Sequence, residues 1–442
     1  MLSQLKLSFI NNKNSIRIAN YSFISVILLI ITWIFDYHFP YLKQYLPQYL
    51  LLSKDVSTSF LSNLSGVFLT VTTFTFTTIL TILNHYASSF SPRILQDFIE
   101  KPNVLSLFGI FIGGFFYTVL ALFFLSNLQS DVMMVSGTIG VLYAMASMVA
   151  FILFVRRVLK DIRIGSVLDS IYENANQLVT QEAEARKLSE RYDPDEIIEG
   201  IKIYGQSTGY FYTIDETLLK NTLKNVRCEL VITKKIGQYI PKGMYIATLY
   251  IFDENQMSEQ EQLNVIKDIS EALVINVAKN DQQDYHLELT YLVEIAVRAL
   301  SPGINDPNTS IACIDKLGVL LGRLFSSQNH FITLASDSNT KIVYQTYSVE
   351  EELYLAFNQI LFYAKSEPTM ARSMLETIYM IYMISDESAQ AEVTDFFSYV
   401  YKICLESLTS DLDKKKLHEI KEDFDRNRDK QSDKATLRAS EK

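Results

Sequence analysis

Residues 66–90, GVFLTVTTFTFTTILTILNHYASSF, contain no Asp, Glu, Lys or Arg and belong to a longer apolar run. A helix that crosses the hydrocarbon core of a membrane needs about 20 largely apolar residues. The run is long enough, so it is predicted to be a transmembrane helix. Three further segments approach this length, and the sequence predicts four spans, at about 20–35, 61–87, 104–126 and 132–155.

Basic residues are concentrated on one side of these predicted spans. They precede the first span, separate the second from the third and follow the fourth: Lys6, Lys13, Arg17, Arg93, Lys101, Arg156, Arg157, Lys160 and Arg163. Cytoplasmic loops carry the excess of Lys and Arg, so both termini are predicted to be cytoplasmic in a multi-pass protein. We expect Arg93, Arg156 and Arg157 to lie at the membrane interface, with the lipid bilayer as a partner.

A stripe of uncharged polar residues follows one face of the second span. Thr70, Thr73, Thr77 and Thr81 recur at helical spacing, and Asn84 continues the line. One interpretation is helix packing, because Thr is small, bonds its own i−4 carbonyl and is favoured at helix contacts in lipid. The other is a wet pathway in an oligomer, where hydroxyls replace water around a passing ion. On the second interpretation, these five residues line a pore.

The rest of the chain carries almost all of the charged residues and therefore the net charge of −10. Strand-like runs, RCELVIT and YIATLYIF, flank turns at Gly237, Pro241 and Gly243. The expected fold is an α+β membrane protein in which a cytosolic domain, with a small β-barrel or sandwich and a helical subdomain, follows the four-helix transmembrane domain. Its predicted parts are a transmembrane domain over 1–155, a juxtamembrane linking helix over 156–198, a small β domain over 199–256, a helical cytosolic domain over 257–410 and a charged, disordered tail over 411–442.

The cysteines and histidines give no sign of a metal centre. Cys228, Cys313 and Cys404 are widely spaced, without a CxxC pair, and no two of the five histidines have the i, i+4 spacing of a shared ion. We therefore expect free thiols in a reducing cytoplasm, and neither a metal nor a cofactor.

The loop RALSPGINDPNTS, residues 298–310, is dense in residues with special backbone roles. Pro302 ends one predicted helix, and Asp306 before Pro307 is suited to cap the next one. The loop is either a joint between two helices, with Arg298 paired to Asp306 or Asp284, or a site for a ligand or a neighbouring subunit. The candidate residues are Asp284, Arg298, Ser301, Asn305, Asp306 and Thr309.

Three stretches carry a resemblance to a known family: ASSFSPRIL, FGIFIGGFFY and above all IAVRALSPGINDPNTSIACIDKL. They resemble a widespread family of predicted bacterial integral membrane proteins, the domain-of-unknown-function 2254 family, which has an SPGINDP signature. The Gln-Asp pair that precedes this loop in the family is matched by Gln283 and Asp284, and its Phe-Ser-Pro-Arg by residues 90–93. After Asp-Pro, the chain departs from the family with Asn308, Thr309 and Ser310. The resemblance implies a protein of the bacterial plasma membrane.

Two functions fit these features. The first is an oligomeric ion channel or pore, lined by the Thr-rich second helix and regulated by the cytosolic domain, with ions as the transported species and a homo-oligomer as the assembly. The alternative is a membrane-anchored sensor or scaffold that binds a small ligand, a lipid or a protein partner at the SPGINDP region. An enzyme is not expected, because no phosphate-binding glycine loop or activated nucleophile is present. The acidic soluble part disfavours nucleic acid.

Overall fold

The computed structural model divides the chain into two compact units, Met1–Val167 and Leu168–Lys442. The residues that it describes are 13–89, 102–126, 133–161, 164–189, 192, 200–224, 226–252, 258–280, 282–327, 331–336 and 339–440. Arg93 lies outside these residues, and so does the Ser-Pro-Arg motif around it.

The first unit consists mainly of four long helices. They are α1 Lys13–His38, α2 Lys54–Ser89, α3 Pro102–Leu125 and α4 Ser136–Asp161. Each contains a segment that is long and apolar enough to cross a membrane: Ala19–His38, Lys54–Ile82, Ser106–Leu125 and Ser136–Arg156. The four predicted apolar helices are therefore confirmed. The connections add two short 3-10 helices, Pro40–Tyr45 and Gln48–Leu50, and an antiparallel pair of short strands, β1 Leu52–Ser53 and β2 Met133–Met134.

Glycines let the helices of the first unit approach one another closely. The buried face of α2 carries Leu61 and Phe68, one heptad apart. A Cβ atom at Gly114 of α3 would lie 2.5 Å from the Phe68 ring, and one at Gly140 of α4 would lie 2.6 Å from Leu61. Small residues at such contacts are the usual means by which membrane helices pack, since lipid supplies no hydrophobic driving force.

A buried ion pair fastens the end of α1 to the start of α4. The Asp36 carboxylate accepts hydrogen bonds from the backbone N–H groups of Val135 (2.9 Å) and Ser136 (3.0 Å). Lys43 Nζ lies 3.2 Å from the same carboxylate and donates to the Met133 carbonyl at 2.7 Å. Asp36 thus satisfies the first orphan N–H groups of α4 and complements the positive end of its dipole.

The second unit begins with helix α5, Ile164–Leu188, and contains two sheets. The strands are β3 Ile201–Tyr204, β4 Gly209–Ile214, β5 Cys228–Ile232, β6 Tyr239–Ile240, β7 Tyr245–Ile251, β8 Leu273–Asn276, β9 Phe331–Ser336 and β10 Thr340–Gln345. The larger sheet has the order β3-β7-β5-β10-β9, in which only β5 and β10 are parallel, and the smaller sheet has the order β6-β4-β8.

This topology corrects the predicted β domain over 199–256. Among the described residues, the strands form two open sheets and no closed barrel. Three strands also come from beyond residue 256: β8 completes the smaller sheet, while β9 and β10 complete the larger one. The predicted helical domain over 257–410 is therefore not continuous in sequence, because it contributes strands to both sheets.

Eight helices accompany these sheets in the described part of the second unit. They are α6 Glu216–Leu223, α7 Glu259–Ala272, α8 Tyr285–Ala299, α9 Pro307–Leu324, α10 Val349–Ala364, α11 Pro368–Ile384, α12 Gln390–Ser407 and α13 Asp411–Ser440. The SPGINDP loop connects α8 to α9, as the sequence predicts.

The last helix, α13, corrects the prediction of a disordered tail over 411–442. Its Leu417 and Phe424 are buried, and the Phe424 ring stacks on Phe397 of α12 with centroids 4.0 Å apart. Two apolar side chains at i and i+7 in a charged sequence are enough to dock one face of a helix on the core.

Candidate functional site

The polar stripe of α2 lies on the outside of the first unit. The five predicted residues share this exposure: Thr70, Thr73, Thr77, Thr81 and Asn84. Each Thr hydroxyl donates to the carbonyl one turn earlier, at 2.9–3.0 Å. The donors are thus satisfied within the helix, while the hydroxyl oxygens keep their acceptor capacity towards the outside.

The stripe is longer than the sequence analysis recognised. Ser59, Asn63 and Gly66 continue it by i, i+3 and i+4 steps towards the start of α2, and all three are exposed. Large apolar side chains on either side, including Val67 and Leu69, are also more than half exposed. The same spacing rule would have found these three residues had it been applied upstream of Thr70.

The SPGINDP loop is held by its own backbone and by Asp306. The Asp306 carboxylate accepts from the Thr309 N–H at 3.2 Å and from the Thr309 hydroxyl at 2.6 Å, and its own N–H donates to the Ala299 carbonyl at 2.8 Å. Asn305 has a φ of 49°, in the left-handed region that Asn tolerates better than most residues. Ser301 accepts the N–H groups of Ile304 and Asn305. Asp306 is therefore the predicted cap of α9.

The structure separates Asp284 from the other candidate residues. Asp284 caps the start of α8, where its carboxylate accepts from the Leu287 N–H at 3.1 Å. Arg298 lies in the last turn of the same helix, roughly 21 Å away at 1.5 Å per residue. The predicted pairing of Arg298 with Asp284 is therefore wrong, because the two residues lie at opposite ends of a straight element. The membrane-interface candidate Arg156 is exposed near the end of α4, and the side chain of Arg157 is not among those described.

A network of buried charged and polar side chains lies at the Asp284 end of α8. Arg186 of α5 donates to the Tyr285 hydroxyl at 3.0 Å and to Glu182 at 3.1 Å. Tyr285 in turn donates to Glu352 of α10 at 2.6 Å. His286 Nε2 lies 2.8 Å from the other oxygen of Glu352, with angles outside those of a hydrogen bond. The network thus joins three helices from distant parts of the sequence.

The two glutamates of this network have opposite pKa shifts. Burial alone would raise the pKa of Glu352, but the contact with His286 and the charge of Arg186 outweigh burial and lower it. Burial raises the pKa of Glu182 above its usual value in spite of Arg186. Burial also raises the pKa of Tyr285 well above its usual value. Glu352 is thus held ionised, while Glu182 takes up a proton more readily than a free glutamate.

An open cleft of about 480 Å³ lies beside this network. Its walls come from α5, β9, the end of β4 and the start of α8, and include Glu182, Gln283 and Tyr285. Thr333 of β9 also lines it, with a buried hydroxyl that has no hydrogen-bond partner. The cleft therefore combines apolar walls with a few polar groups, which is the composition of small-molecule sites. Among the residues that the structure describes, no three His, Cys, Asp or Glu side chains converge on a possible metal site.

The sequence analysis named Asp284 but missed the other charged members of this network. A signal was present: Ala175, Val179 and Ala183 form the buried stripe of α5, and Arg186 continues that stripe at i+3. In the same way, Glu352 lies beside Leu353 on the buried face of α10. A charged residue on an apolar helix face needs a partner, although the sequence does not say which one.

The model of a family described as predicted membrane protein (DUF2254) matches residues 13–380. The chain belongs to this family. The matched part of the DUF2254 protein contains all four apolar helices, both sheets and the buried network.

Curated relatives of the DUF2254 protein include uncharacterized proteins of Mycobacterium bovis and Mycobacterium tuberculosis. Each is 23% identical over 300 residues, which cover 66% of this chain and 57% of the relative. The chain thus spans little more than half the length of these relatives. No solved structure matches it.

Proposed function

We propose that this DUF2254 protein is an oligomeric ion channel whose pathway is lined by the polar stripe of α2 and regulated by the second unit in the cytoplasm. The observation that carries the proposal is the exposure of the whole stripe in the single chain, from Ser59 to Asn84. Hydrocarbon offers nothing to the free lone pairs of hydroxyl and amide groups, whereas water and ions do.

The composition of the stripe suits permeation. It contains hydroxyl and amide side chains but no charged group, so a passing ion finds weak oxygen ligands and is not trapped. The exposed apolar side chains beside it, such as Val67 and Leu69, give neighbouring copies a surface on which to pack. The stripe then faces a shared axis, and the remaining outer surfaces of the helices face lipid.

Ion flux through the full-length protein in liposomes tests this proposal. Thr77→Phe places a ring in the middle of the stripe and should abolish flux, whereas Thr77→Ser keeps the hydroxyl and should preserve it. Leu80→Phe is the matched control, because Leu80 is exposed on the flank of α2 less than one turn away. Equal flux through the Thr77→Phe and Leu80→Phe proteins would refute the assignment of the pathway.

A second function, a membrane-anchored sensor, is favoured by the cleft in the second unit. The cleft lies beside more carboxylates than cations, since Glu182 and Glu352 share Arg186. A small ligand with a positively charged group would balance this excess and could pair with Glu182 at the cleft wall. The SPGINDP loop is less suited to this role, because both carboxylate oxygens of Asp306 are already used to cap α9.

Thermal stabilisation by a panel of small amines tests the sensor function in the full-length protein. An amine that binds in the cleft should raise the melting temperature, and Glu182→Gln should abolish that increase. Glu184→Gln is the control, because Glu184 is exposed on the same helix. If Glu182→Gln and Glu184→Gln respond alike, the cleft is not the binding site.

A further inference from the structure

Helix α10 has an apolar surface on the side that faces away from the core. Its inner side is fully buried and includes Leu353, Phe357 and Ile360. The outer side carries large apolar residues that the single chain leaves 46–66% exposed: Tyr354, Leu355, Phe362 and Tyr363. A helix that is apolar all round is normally buried on all sides. The outer side of α10 therefore needs a partner.

The outer side of α10 is also complementary to itself in the antiparallel sense. About a centre between Asn358 and Gln359, Leu355 is related to Phe362 and Tyr354 to Tyr363. An antiparallel pair of these helices thus places aliphatic and aromatic side chains of one copy on aromatic side chains of the other. The central positions are occupied by two amides, which can bond to each other across a two-fold axis.

The charges at the ends of α10 fit the same arrangement. The first turn is acidic and contains Glu350 and Glu351, and Lys365 follows the last turn. In an antiparallel pair, the acidic start of one helix lies beside the basic end of the other. The two helix dipoles are then also aligned favourably. A parallel pair would instead bring the acidic turns together.

The exposed area at this surface is of the size that an interface needs. The half-exposed rings of Tyr354, Phe362 and Tyr363, together with Leu355 and the neighbouring Tyr399 of α12, offer roughly 100 Å² each. The patch supplies about 500 Å² per chain, which is more than half of the roughly 800 Å² per partner in a standard interface. A groove of about 430 Å³ between α10 and α12 adjoins it and can take side chains of the partner.

We infer that the second unit forms a two-fold dimer with another copy of this chain, through antiparallel contact of α10 with α10. The interface is isologous, so each chain contributes the same patch. This inference does not depend on ion conduction, because it concerns the second unit and holds equally for a channel or a sensor.

Disulfide cross-linking in the full-length protein tests the inference. Gln359→Cys puts a thiol next to the two-fold axis, within the roughly 7 Å between Cα atoms that a disulfide allows. Ser366→Cys puts it on the same exposed side, but about 22 Å from its counterpart at 1.5 Å per residue. The native thiols do not interfere, because Cys228, Cys313 and Cys404 are buried.

Under mild oxidation in membranes, most of the Gln359→Cys protein should shift to a band at twice the chain mass of 50.7 kDa. The Ser366→Cys protein should stay at the mass of one chain. Adding Phe362→Asp to Gln359→Cys should abolish the shift, while circular dichroism confirms that the exposed position leaves the fold intact. No shift with Gln359→Cys, or an equal shift with Ser366→Cys, would overturn the antiparallel dimer, the latter because it indicates another packing of the two helices.

Discussion

Replacing Arg186 by Met tests whether the buried network holds the second unit together. The substitution keeps the length and apolar character of the side-chain stem but removes the guanidinium, which lies 3.1 Å from Glu182, 3.0 Å from the Tyr285 hydroxyl and 3.6 Å from Glu352. Glu352 is completely buried, so it is left with a weaker set of partners and no water. Removing one member of a buried ion pair costs about 3–5 kcal/mol, and we expect the second unit to lose that amount of unfolding free energy.

The pH dependence of this loss follows from the pKa of Glu352. In the native protein that pKa is lowered, so the network stabilises the fold above the pKa of the unfolded chain, and this contribution is lost as the pH falls through the folded pKa. Without Arg186, the pKa of Glu352 rises. The difference between the Arg186→Met and native proteins should therefore be largest at neutral pH and should shrink in acid, where Glu352 is protonated in both.

Hydrogen exchange at the backbone amides of α5, α8 and α10 is the suitable assay for Arg186→Met. The fluorescence of the single Trp33 reports on the first unit and not on the second. Lys187→Met is the matched control, because Lys187 is the next residue and is exposed. If the opening free energies of the Arg186→Met and Lys187→Met proteins agree to within about 1 kcal/mol, the network does not stabilise the fold in the way argued above.

Three further predictions concern other contacts. Gly237→Ala should destabilise the second unit more than Gly243→Ala in thermal melts: both glycines have a φ near +80°, which costs about 1–2 kcal/mol for Ala, but only at Gly237 would the new Cβ overlap the Asp284 carboxylate. Asp36→Ala should cost the first unit about 3–5 kcal/mol by leaving the buried Lys43 without its counter-charge, as monitored by Trp33 fluorescence, whereas the exposed Asp55→Ala should have little effect. Phe424→Ala should release α13 and expose it to limited proteolysis, at a cost of up to about 3–5 kcal/mol, whereas the exposed Leu412→Ala should leave cleavage unchanged.

Features that depend on neighbouring residues could be predicted from the sequence. The four apolar helices follow from local composition, since the hydrocarbon thickness sets their length. The stripe through Thr77 follows from helical periodicity, and the cap at Asp306 from the Asp-Pro pair itself.

Features that depend on distant residues could not be predicted in this way. Arg186 and Glu352 meet only because α5 and α10 pack against the same helix, and nothing near either residue specifies the other. The strands β9 and β10 were missed because their place in the larger sheet is set by β5, from which a run of helices separates them. For the same reason, the burial of Phe424 depends on Phe397 and not on its own charged surroundings.

The parallel pairing of β5 with β10 has a consequence for how the protein is made. Residues 228–232 leave the ribosome more than a hundred residues before 340–345, so one edge of β5 stays open during that time. An open strand edge is a template for pairing with other chains. Nascent chains of the second unit should therefore need protection by a chaperone, and fragments that stop before residue 345 should aggregate even though every strand of the predicted β domain is present in them.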